Sequence, residues 1–245
     1  MTSLADIPVN TWCWGLGSIV LVVLGLKSVI GYRKFRGQLT KYMVWFSLVF
    51  LPCLLAFSVP ALFTLDPGIL RTTSLIGEFF FWAGLVTQAA ILWCLILRRY
   101  FSIYYATVPV AIVGLACWLY DTSRSWLFLS HGFINYYDPR IISFVIATMM
   151  VALFVPVGMY FIRAASEQAG LKATATSLAL GMMYVGIGLS SASEEVFSKQ
   201  LITPASAVFN LFIAVIVLAA LVMPWRLSVR LPAQVQATAP PKPTL

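Results

Sequence analysis

The chain reads as an all-α integral membrane protein, a seven-transmembrane-helix bundle with its N-terminus outside and its C-terminus cytoplasmic. Three observations predict this: an apolar composition, seven apolar stretches of spanning length, and basic residues gathered on one side of those stretches. Of 245 residues, 61% are hydrophobic and 10% charged, with a mean hydropathy of +0.93. So few charges leave too little polar surface to face water on all sides, which excludes soluble enzymes, disulfide scaffolds and disordered chains.

A spanning helix satisfies its own backbone and crosses about 30 Å of hydrocarbon, which takes about 20 mostly apolar residues. The stretches that qualify are 12–31, 42–63, 75–97, 103–120, 141–162, 175–192 and 204–225. The first opens on Trp12 and Trp14 and ends near Tyr32, aromatic residues that suit the two interfaces. Its length and the lack of Lys or Arg before it speak against a cleaved signal. Pro52 and Pro60 interrupt the second stretch, Pro109 the fourth and Pro156 the fifth, each releasing a backbone carbonyl that a neighbour must satisfy. The sixth is diluted by small and hydroxyl residues. There Ser177, Gly181, Gly188 and Ala192 fall on one helical face, a stripe that lets another helix come close. No ten-residue alternating segments recur, as a β-barrel would require.

Short loops rich in Lys and Arg stay cytoplasmic. Lys27, Arg33, Lys34, Arg36, Lys41, Arg98, Arg99, Arg163, Lys172, Arg226, Arg230 and Lys242 all fall on one side, with Glu167 as its single acid. The opposite side holds Asp6, Asp66, Glu78, Asp121, Asp138, Glu194 and Glu195 against four basic residues. The high pI of about 9.5 therefore reflects orientation in a plasma (inner) membrane, and nucleic acid is not an expected partner. The organisation that follows is a short extracytoplasmic N-terminus over 1–11, a membrane domain over 12–226, and a disordered tail over 227–245 whose LPAQVQATAPPKPTL lacks a periodic apolar face.

Several chemistries drop out. Cys13, Cys53, Cys94 and Cys117 form no CxxC pair and read as small buried hydrophobes; a Cys13–Cys117 disulfide is the geometrically conceivable exception. The only histidine, His131, is too few for haem, copper or multi-imidazole zinc sites. It sits in the aromatic loop 121–140, expected to lie along the membrane surface. No GxSxG, HExxH or phosphate-binding loop occurs, so no cofactor is expected and an enzyme is disfavoured.

The seven-helix layout resembles that of rhodopsins and of G-protein-coupled receptors, but their motifs are missing. The last apolar stretch contains no Schiff-base lysine, the third ends Leu97-Arg98-Arg99-Tyr100 without the acid before its Arg, and Asn210 is followed by Leu211 instead of proline. Seven-helix input modules of bacterial sensor kinases share the layout only. Helices one to three and five to seven would form parallel triplets with the fourth as linker, a plan used by sugar carriers, although the two triplets share no sequence signature and the Pro-Gln dipeptide of those carriers is absent.

Polar side chains inside the bilayer remain as pointers to function, since each costs about 2.5–3.5 kcal/mol at the helix centre when charged. Glu78 lies about one turn into the third apolar stretch, Gln88 near its middle, and Asn210 about a turn and a half into the seventh. Gln88 and Asn210 suit hydrogen bonds to other helices. Glu194 and Glu195 close the sixth stretch in a polar mouth that would face Asp66 and Glu78. Glu78, Gln88, Asn210, Glu194 and Glu195 are the candidate ligand or ion path. Three functions follow in order: a non-catalytic sensor or accessory module that binds a membrane-protein partner through the small-residue stripe; a transporter or channel for a small solute or cation; and an outer-face enzyme using the acids with His131.

Overall fold

The computed structural model describes residues 7–122, 126–130, 133–137, 139–168, 170–196 and 199–222. Seven helices among them are long and apolar enough to cross a membrane: α1 Val9–Phe35, α2 Gln38–Phe63, α3 Pro67–Leu95, α4 Ile103–Asp121, α5 Arg140–Ser166, α6 Leu171–Val196 and α7 Lys199–Val222. The protein is thus a multi-pass transmembrane helical protein. His131 and the tail 227–245 lie outside the described residues.

All but α4 begin well before the predicted apolar stretch, run well past it, or both, because their end turns are polar and carry no hydropathy signal. The start of α3 shows why. Asp66 caps it, its carboxylate accepting from the Ile69 N–H at 2.9 Å, and Pro67 occupies the first helical position, where a missing N–H costs nothing. Two turns of the sequence GILRTTS follow before the apolar stretch begins. Glu78 is therefore about three turns inside its helix, correcting the one turn expected. Likewise α7 starts at Lys199, which moves Asn210 about three turns in. Between α4 and α5, where a surface-lying segment was expected, two strands, β1 Trp126–Ser130 and β2 Phe133–Tyr137, pair antiparallel as a hairpin with Trp126 opposite Tyr137.

The helices sort into two triplets. Packing is closest for α5 on α6, then for α2 on α3 and α1 on α2, with α7 on α6; the triplets meet more sparsely, through α1 with α7 and α3 with α5. Helix α4 packs on α3, with the Trp118 indole N–H donating to the Leu75 carbonyl at 2.9 Å and the Trp82 ring over Gly114. Only 17% of its spanning window is buried, so α4 is a peripheral linker whose Tyr104, Ile112 and Leu115 face outward toward lipid.

The α5–α6 seam explains the small-residue stripe. A Cβ at Gly158 would lie 2.7 Å from the Gly181 carbonyl oxygen, and one at Gly181 2.9 Å from the Gly158 carbonyl oxygen, so the two backbones touch. A Cβ at Gly188 would meet the Met150 carbonyl at 3.0 Å. Gly181 and Gly188 are thus engaged within the chain. Across the bundle the larger apolar core among the described residues joins Val20 and Leu24 of α1, Leu85 and Ile91 of α3, and Phe154 and Val157 of α5.

Candidate functional site

A cavity of about 320 Å³ opens between the triplets, in the half of the bundle nearer the start of α1, here the N-terminal face. That volume falls at the lower end of small-molecule sites, which span about 300–1,000 Å³. Its floor is aromatic. Phe46 of α2 approaches Phe154 of α5 and Tyr184 of α6, with centroid distances of 6.3 and 6.4 Å, and Phe154 lies 5.8 Å from Tyr184. Phe161 stacks on the far side of Tyr184 at 5.8 Å. These rings come from both triplets and pack against one another at the end of the cavity away from the N-terminal face.

The polar groups sit above this floor. Glu78 of α3, Asn210 of α7, and Glu194 and Glu195 at the end of α6 all line the cavity. Four of the five residues picked out as a ligand path therefore converge. The fifth, Gln88, does not line it: it is fully buried, and its amide N–H donates to the Leu153 carbonyl of α5 at 3.1 Å. That carbonyl is one residue from the one that Pro156 deprives of its helical donor. Asp66 is spent as the α3 cap and lies outside the lining. Neighbouring hydroxyls position the others. Ser190 donates to the Asn210 amide oxygen at 3.1 Å, and Ser206 donates to the Glu194 carboxylate.

Sequence reasoning missed several lining groups. Asn10, in the first turn of α1, is 5% exposed; its amide donates to the Ile134 carbonyl at 2.6 Å, and its carbonyl oxygen accepts from the Ile134 N–H at 3.2 Å. This two-way bond pins β2 across the mouth, and Ile134 itself is buried against Ala61, Leu70 and Trp14. Cys13 lines the cavity and its thiol donates to the Ala207 carbonyl of α7 at 3.2 Å. All four cysteines are free thiols, so the Cys13–Cys117 disulfide is not formed. Tyr184 is fully buried and lines the cavity, and its hydroxyl has no hydrogen-bond partner among the described residues. An unsatisfied buried hydroxyl costs roughly 1–3 kcal/mol.

Among the described residues no three Cys, His, Asp or Glu side chains gather closely enough to hold a metal ion. The lining contains carboxylates, amides and aromatic faces, but no Lys, Arg or His among the described residues. Such a site can bind and orient a solute of matching size. The class that fold and site define is a multi-pass membrane helix bundle with a solute-sized cavity on the seam between two three-helix units. No family model matches the chain, and no curated protein matches it in sequence.

Proposed function

We propose that the protein is a membrane carrier for a small solute, admitted from the N-terminal face into the cavity between α1–α3 and α5–α7. The observation that carries this reading is the position of the cavity. It lies on the seam between two internally close-packed triplets and is floored by rings from both. A site on such a seam is exposed to one side or the other when the units rock, as in carriers built from paired three-helix units. The charge distribution supports an orientation with the N-terminal face outside and the C-terminal face cytoplasmic, in a plasma (inner) membrane. The sensor or accessory-module reading ranks lower, because Gly181 and Gly188 of the stripe pack against α5 of the same chain.

The test is exchange in phosphatidylcholine vesicles of labelled glucose, alanine, succinate and phenyltrimethylammonium, comparing the native protein with Ala214→Trp, which fills the cavity from α7. At least one solute should exchange faster with the native protein than with the variant, given equal reconstitution and thermal stability. Exchange of all four at the protein-free rate would refute the carrier reading.

A further inference from the structure

We infer that the C-terminal face carries a site for an anionic phospholipid, with Arg98 and Arg99 holding its phosphate and one side of α4 its acyl chain. This site is separate from the cavity and stands whether or not the protein is a carrier.

The two arginines lie in a short 3-10 turn, Leu97–Arg99, between α3 and α4. Both are exposed, and the Trp93 indole N–H fixes the turn by donating to the Phe101 carbonyl at 2.7 Å. Helix α2 packs along α3, and the Arg98 guanidinium is within electrostatic reach of the Tyr42 hydroxyl near the start of α2. Arg33, Lys34, Arg36 and Lys41, around the connection from α1 to α2, therefore extend the same rim. None of these six cations is paired with an acid among the described residues, and the one described acid of this face, Glu167, follows α5. A rim of one sign beside a bilayer attracts lipid phosphates, and a guanidinium fork binds a phosphate through two N–H groups.

Charge alone would suit any anion, and the side chains around the arginines select a lipid. Tyr100, Tyr104 and Tyr105 are largely exposed, as suits rings at headgroup level. Tyr105 begins an exposed stripe that continues through Val108, Ile112, Leu115 and Leu119 at spacings of three and four, one side of the helix. At 1.5 Å per residue the stripe runs about 20 Å away from the arginines, enough for most of an acyl chain. Helix α4 packs on α3 with only 17% of its spanning window buried, which leaves this side to lipid. A soluble phosphate would engage the arginines and leave the tyrosines and the stripe idle, whereas a phospholipid uses both.

The test is native mass spectrometry of the full-length protein in a mild detergent, titrated with dioleoylphosphatidylglycerol or dioleoylphosphatidylcholine, which share their chains and differ in charge. The anionic lipid should be retained at least roughly tenfold more tightly. Arg98→Gln with Arg99→Gln should remove most of that preference at unchanged Tm, and Arg98→Lys with Arg99→Lys should keep more of it. Arg163→Gln, an exposed cation of the same face at the end of α5, should leave it intact. Equal retention of the two lipids, or a native preference in the glutamine pair, would overturn the inference. So would an equal loss in Arg163→Gln, which would assign the preference to the charge of the whole face. Displacement of the bound lipid by equimolar glycerol phosphate would assign the arginines to a soluble anion instead, and would equally overturn it.

Discussion

The α5–α6 seam and the seam between the triplets join helices in opposite ways. Along α5–α6, Gly158, Gly181 and Gly188 bring backbones into contact, and the gain is dispersion over a long, close surface. Between the triplets side chains meet in the apolar core, and the polar ties among the described residues include single hydrogen bonds onto helix carbonyls: Gln88 to Leu153, Cys13 to Ala207, and the Lys27 ammonium to Leu221. Aromatic rings stand between them, and the cavity occupies what they leave open. In lipid, where apolar burial does not drive helices together, backbone contact makes a permanent joint and isolated donors make a separable one. That difference makes each triplet a unit and leaves the cavity on the seam between them.

The largest effect expected from breaking this contrast is on the close seam. Gly181→Leu must push α6 away from Gly158 and Ile162, at a cost of about 3 kcal/mol or more. Thermal unfolding in detergent should show a steep fall in Tm and in folded yield, whereas an unchanged Tm would mean that the seam is looser than described. Asn10→Ala removes both bonds to Ile134 and should cost about 1 kcal/mol locally. Hydrogen exchange should then rise in β2 while α5 and α6 keep their protection. Gln88→Leu, nearly isosteric, loses one bond across the separable seam, worth about 0.6 kcal/mol. Its Tm should barely move, and carrier exchange should change more than stability does. A Gln88→Leu variant as unstable as Gly181→Leu would erase the distinction between the seams.

The seven spans were legible because backbone desolvation imposes a minimum apolar length, and hydropathy reports it directly. Helix ends were less so: the polar first turns of α3 lie beyond what hydropathy sees, although the Asp66-Pro67 capping pair was there to be read. Glu78, Glu194, Glu195 and Asn210 were singled out because polarity stands out in an apolar chain. Tyr184, Phe46 and Phe154 were invisible for the converse reason, since nothing distinguishes one aromatic from another in a chain where 14% are aromatic. The Asn10 bond to Ile134 spans 124 positions, and no local pattern announces it. The stripe on α6 was recognised as a packing face, but its partner, Gly158, lies on a different helix without a matching stripe.

The central claim is that the gap between the triplets admits solute, and Cys13 is a native reporter on its wall. The decisive measurement is the rate at which Cys13, left as the single cysteine by Cys53→Ala, Cys94→Ala and Cys117→Ala, reacts with a small cationic methanethiosulfonate in nanodiscs, with and without Ala214→Trp. The account predicts modification at a rate that Ala214→Trp lowers severalfold at equal thermal stability. A thiol that reacts at the same rate in the filled variant would contradict a solute site at this seam.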